Sequence, residues 1–232
     1  MPPVAFAYPH AVMVLRPFGW SANQQSSTMT IRLHAGDLPD LDAYGDVVAI
    51  DTETLGLNPH RDRLCVVQLS PGDGSADVVQ IAQGQTAAPN LVRLLTDPRR
   101  IKVFHFARFD IAILKRAFGI TVSPVFCTKI ASRLTRTYTD RHGLKDVTKE
   151  LLGIDISKAQ QSSDWGATTL SQAQLEYAAS DVLNLHALRA RLLAMLEREG
   201  RTEMAEACFR FLPTRADLDL AGWANEDIFA HS

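Results

Sequence analysis

The sequence predicts an α/β fold in which a mixed β-sheet is flanked by helices. Two observations lead there: short β-rich runs crowd the first half of the chain, and the second half is predominantly helical after at least one strand-helix-strand crossover. The third is scale. The 232 residues hold no Pro/Gly/Ser-rich linker between comparable halves, which favours one domain around one core.

Residues 1–28 carry one basic residue, Arg16, no acid, and a polar stretch from Ser21 to Thr28, and they read as a disordered extension or an upstream start. Their apolar part is interrupted at Pro9 and lacks a basic leader, which weakens a secretory reading. A more regular pattern begins at Met29. Strands are expected at 46–51, 63–69 and 76–81, where turn signals at 56–59 and 71–74 make an antiparallel meander. Residues 89–95 read as a helix ending before Pro98, and Ile101–Phe104 as a fourth strand. Phe109, Ala112, Ile113 and Ala117 then form the apolar stripe of a second helix. After an extended piece at 122–126, helices are expected at 127–134, 144–152 and, as one long element, 171–199. Ser171 and Gln174 make a capping box for the last, and Gly200 stops it. An apolar, Pro-interrupted tail that includes Phe211, Trp223 and Phe229 covers either the chain's own core or a neighbouring subunit.

Composition narrows the classes. The formal charge is −2, so there is no global basic field to grip a long nucleic-acid backbone; a partner is short, or the basic residues are clustered. Cys65, Cys127 and Cys208 are odd in number and lack C-x-x-C spacing, which argues against a disulfide framework or structural zinc and for a reducing, cytoplasmic location. No apolar run approaches the roughly 20 residues that span a bilayer.

The chemistry lies in three separated patches: Asp51 and Glu53 at the end of an apolar run, Asp110 in His105-Phe-Ala-Arg-Phe-Asp110, and Asp181 in Tyr177-Ala-Ala-Ser-Asp181. The i, i+2 spacing aims Asp51 and Glu53 at one face of a strand. Carboxylates at the edge of a core are costly unless a cation neutralises them, so a divalent metal site is the natural resolution. Magnesium and manganese favour such hard oxygen ligands. Tyr177, one helical turn before Asp181, shares its face. With a pKa near 10, tyrosine is a poor base at neutral pH and better suited to orienting a metal-bound water.

Asp51-Thr-Glu53, His105-x-Ala-Arg-Phe-Asp110 and Leu170-Ser-x-x-Gln174-Leu-x-Tyr177-Ala-Ala-x-Asp181 resemble the three motifs of the DEDDy, or ribonuclease D-like, 3′-to-5′ exonucleases. The segment Lys158-x-x-Gln161-x-Ser163-Asp164-Trp165 is similar to the same group. The resemblance implies an RNase H-like sheet (the DEDD exonuclease fold) over residues 29–210, two Mg²⁺ or Mn²⁺ ions, and release of 5′-mononucleotides from a 3′ end. It implies Asp51, Glu53, Asp110, Tyr177 and Asp181 as catalytic residues, with the four acids as metal ligands. Glu176 stands where a sibling branch has histidine, which favours the tyrosine branch.

Phe106 departs from the family, many of whose members have asparagine there. Chain length and both ends look most like the nanoRNase C oligoribonuclease group. That likeness implies cleavage of very short RNAs, especially dinucleotides, by a ring-shaped homo-oligomer, an octamer being one form, with residues 211–232 as a subunit contact. Substrate-binding candidates are Thr52, Leu57 as a wedge between bases, His105 near a phosphate, and Trp165 as a stacking platform. Two plainer readings stand beside these: Trp165 as a core anchor and Leu57 as a packed loop residue. The alternatives for the whole chain are a broader exonuclease trimming RNA or DNA 3′ ends, single-stranded or duplex, and a non-catalytic RNA-binding scaffold.

Overall fold

A computed structural model describes residues 30–231 of the chain. The expected extension at 1–28 lies outside the described residues. The elements in order are β1 (Thr30–Ala35), β2 (Val47–Thr54), β3 (Leu64–Ser70), β4 (Ser75–Gln80), α1 (Pro89–Thr96), β5 (Ile101–Phe104), α2 (Ala107–Phe118), β6 (Val125–Cys127), α3 (Thr128–Thr135), α4 (Leu144–Leu152), α5 (Gln172–Leu183), α6 (Leu185–Arg198) and α7 (Thr202–Leu218). Asp219–Trp223 adds one wide π-type turn.

The six strands form one mixed sheet in the order β1-β4-β3-β2-β5-β6. The meander β2-β3-β4 is antiparallel as expected, while β5 and β6 extend it in parallel beyond β2. Strand β2 is central, and Val48, Ala49 and Ile50 are wholly buried. A strand covered on both faces reads as an unbroken apolar run rather than an alternation, which is why its signal was strong. Its side chains still alternate in direction, so Asp51 and Glu53 face α5 while Thr52 between them reaches α2.

Three departures from expectation have physical causes. Strand β1 was not foreseen; it pairs in parallel with β4 at the sheet edge, where alternating exposure leaves no continuous apolar run. The single helix expected at 171–199 is two, divided at Asn184, so that α5 packs on β2, β3 and β4 while α6 packs on α3 and α4. The capping box at Ser171 and Gln174 is formed.

The third departure is α7, which runs through Pro213 and crosses the expected division at 210/211. Proline removes one backbone donor. The helix persists because Ala205, Phe209, Leu212 and Ala216 repeat at helical spacing and are buried on its inner side, where α7 packs on α2 and β6. The first part of the apolar tail therefore covers the chain's own core. Phe211, Trp223, Ile228 and Phe229 remain exposed.

Candidate active site

The end of β2, the start of α2 and the middle of α5 converge on one cluster. Ligand oxygens of Asp51, Glu53 and Asp181 all lie within 4.8 Å of one another. Asp110 enters from α2, and its Oδ1 accepts a 2.7 Å bond from the Thr52 hydroxyl. Behind Asp51, the Nε2 of Gln68 donates to Oδ2 at 2.7 Å from the cross-strand position on β3. The ladder register shifts between Glu53 and Thr54, ending the regular pairing at the site.

The electrostatics are those of like charges confined together. Burial pushes Asp51 well above the usual carboxylate range, and Asp110, Asp181 and Glu53 push it further. Burial, then Asp181 and Asp110, raise Glu53 to about 9. Burial raises Asp110 to about 7 against the opposing bond from Thr52, and Asp181 to about 7 against the neighbouring Tyr177 hydroxyl. The Tyr177 phenol is itself pushed up by burial and by Asp181 and Glu53, so it stays protonated and is a donor rather than a base. The donor set is all oxygen, tightly spaced and without a lysine or arginine among the groups that shift it. It fits hard divalent cations, with Asp51, Glu53 and Asp181 as the closest ligands and Asp110 beside them.

A cavity of about 580 Å³ opens over the cluster. Lys129, Lys145 and Lys158 line it from α3, α4 and the loop that follows α4, and none has an ion-pair partner among the described residues. Leu57 lines it as well and is 86% exposed, so it is not a packed loop residue. The loop that presents it is held by the Asp62 carboxylate accepting from the Asn58 backbone at 2.9 Å, and Gly56 fits because a Cβ there would meet Asp62 at 2.4 Å.

Three substrate-binding expectations change. Trp165 is only 2% exposed and packs 6.0 Å from the Tyr177 ring, with Leu170 and Ala178 in the same cluster; it is a core anchor that leaves no open face for a base. His105 has its Nδ1 2.9 Å from the Thr128 hydroxyl, and burial followed by Lys129 lowers its pKa to about 3. An uncharged ring tied into the wall is a poor phosphate contact. The hydroxyl of Thr52 is committed to Asp110 and so positions a carboxylate. Sequence reasoning missed Gln68, whose signal was its register opposite Asp51, and Lys129 and Lys145, which are isolated in sequence and meet only across the cavity.

A 3′-5′ exonuclease family model matches residues 28–197. Ribonuclease D of Gluconacetobacter diazotrophicus is 40% identical over 156 residues, 67% of this chain and 39% of its own length. The chain spans about two fifths of the length of the ribonuclease D proteins it matches. Brucella melitensis NrnC with bound Mg²⁺ is 70% identical, with a TM-score of 0.85 over 88% of this chain and 100% of the other. The same protein bound to pGG superposes with a TM-score of 0.86 at the same identity and coverage. With this sheet, this acidic cluster and a family match over most of its length, the chain belongs to the 3′-5′ exonucleases, in the ribonuclease D-like DEDD branch.

Proposed function

We propose that this chain is a metal-dependent 3′-to-5′ exoribonuclease that degrades short oligoribonucleotides, dinucleotides above all, to 5′-mononucleotides. The observation that carries the reaction is the group of half-buried Asp51 and Glu53 with buried Asp110 and Asp181, whose mutual repulsion the surrounding side chains leave unbalanced. These four carboxylates would hold two Mg²⁺ or Mn²⁺ ions, which would acidify the attacking water and stabilise the leaving oxygen. Tyr177, protonated beside Asp181, would orient that water as a hydrogen-bond donor and would not take its proton. Asp51 and Glu53 hold charge at the strand end, and Thr52 and Gln68 fix the carboxylates on either side of it.

Short RNA is supported by the size of the cavity, which falls in the range of small-ligand pockets rather than extended grooves. Its three lysines suit phosphates, and the pGG complex of the 70%-identical NrnC fits the same reading. The apolar residues exposed on 211–229 fit a subunit contact in a homo-oligomer, ring-shaped in our reading, and the free cysteines fit the cytoplasm. The test is a series of 5′-labelled RNAs of two to twenty nucleotides. Strong preference for the dinucleotide supports the proposal, whereas equal rates at all lengths favour the broader trimming activity suggested by the ribonuclease D likeness.

A further inference from the structure

At Phe106 the local rules of the chain and the fold disagree. It is the one non-glycine residue with positive φ among the described residues (φ 72°, ψ 40°), immediately before α2. Left-handed backbone disfavours a large side chain, whereas asparagine adopts it readily. Burial of the ring would offset that strain, yet Phe106 is 44% exposed and stands in the wall of the active-site cavity. The Lys129 ammonium lies 4.2 Å from its ring centroid and has no acidic partner among the described residues. Leu57, 86% exposed, and Leu55 line the same cavity, so a site built for anions keeps three large apolar groups open to solvent. Strained backbone that packing does not compensate is a mark of functional positions.

We infer that Phe106 is a substrate-contacting specificity residue. Its ring supplies apolar surface against which a nucleobase packs, and the same ring holds Lys129 where it meets a substrate phosphate. The inference rests on the proposed activity towards short RNA and deepens it: Phe106 and Leu57 grip bases while the acids act on the bond between them. The competing role is purely structural, with Phe106 capping α2 and so placing Asp110. The two roles separate in kinetics, because a base contact acts on KM and a misplaced Asp110 acts on kcat and metal dependence.

The experiment is hydrolysis of pGG by the full chain and its Phe106→Asn, Phe106→Leu and Phe106→Tyr variants, with Mg²⁺ titrated and thermal melts recorded. Phe106→Asn relieves the left-handed strain and is expected to melt about 2–4 °C higher. Its KM for pGG is expected to rise about tenfold, the scale of a lost base-stacking contact. Its kcat and half-saturating Mg²⁺ are expected to stay within about twofold of the parent. Phe106→Tyr keeps the ring and keeps KM, and Phe106→Leu falls between. Replacing one guanosine of the substrate by an abasic residue weakens the parent more than Phe106→Asn. Unchanged KM in both the Asn and Leu variants overturns the inference, as does loss confined to kcat and Mg²⁺ dependence. A parent protein that does not hydrolyse pGG at all overturns the proposed function instead, which keeps the two failures distinct.

Discussion

Two centres in this molecule bury carboxylates, and they resolve the cost in opposite ways. Asp77 on β4 is 4% exposed; burial raises its pKa, but Arg32 at 2.7 and 2.9 Å, Tyr44 at 2.6 Å and His34 at 2.7 Å outweigh that and hold it at about 2. Asp51 is half-buried, and after desolvation its three largest influences are Asp110, Asp181 and Glu53, all of which raise it. The first centre is complete within the fold. On the proposed function the second is completed by cations from outside, and that asymmetry would separate a structural acid from a working one.

The same substitution at the two centres therefore has opposite effects, and this is the largest expected difference. Asp51→Asn is expected to lower exonuclease activity by at least about a thousandfold, because one of the three carboxylates whose oxygens lie within 4.8 Å of one another no longer supplies charge to the metals. In metal-free protein the same change removes repulsion and raises the melting temperature. Asp77→Asn is expected to leave the chemistry alone and destabilise the fold by about 1–2 kcal/mol, since the buried side chain at this position loses charge-assisted hydrogen bonds from Arg32, Tyr44 and His34, while the part-exposed Arg32 head can turn to water. Thermal melts in EDTA and rates in Mg²⁺ read both. If metal-free Asp51→Asn melts lower than the parent, the account of the acidic cluster is wrong.

The contrast also explains what could be read from the sequence. Asp51, Glu53, Asp110, Tyr177 and Asp181 were visible because acids beside apolar runs break local patterning, and their order along the chain matches a family pattern. The central meander was visible because buried strands are continuously apolar. Strand β1 was not, for an edge strand depends on the neighbour it pairs with. Helix α7 was obscured by Pro213, a local rule outweighed by packing on α2. For Trp165 and His105, sequence position near the motifs says nothing about how much of a ring is open: both stand in the cavity wall, Trp165 only 2% exposed and His105 with its Nδ1 at the Thr128 hydroxyl. Lys129 and Lys145 needed three dimensions to be seen beside the acids.

Acidity gives a second, smaller test of the comparison. Unfolded carboxylates titrate near 4. In the metal-free fold Asp110 and Asp181 titrate at about 7 and Glu53 at about 9, so the folded state holds their protons more tightly. That stabilisation is full below about 4 and is lost as pH rises through 7 towards 9. Asp77 has the opposite sign: its contribution is present above about 4 and is lost as pH falls towards 2. Metal-free protein is thus expected to lose stability between roughly pH 5 and 9, and saturating Mg²⁺ is expected to flatten that slope. Melting curves across pH with EDTA or Mg²⁺ check it; a slope that Mg²⁺ leaves unchanged would place the titrating groups elsewhere.

Gln68 supplies the finest distinction, because it is a neutral side chain that touches the working centre from behind. Its Nε2 donates to Asp51, while its buried Oε1 has no hydrogen-bond partner among the described residues. Gln68→Leu removes a favourable bond and an unfavourable buried acceptor together, so stability is expected to change by less than about 1 kcal/mol. Orientation is another matter. Asp51 loses the only side-chain donor found for it among the described residues, and kcat is expected to fall about tenfold with KM for a dinucleotide unchanged. An equivalent change beside Asp77, such as Tyr44→Phe, removes a 2.6 Å bond from a centre that has three other donors and no chemistry to perform, so only stability responds. A kcat that moves with Tyr44→Phe but not with Gln68→Leu would reverse the assignment of the two centres.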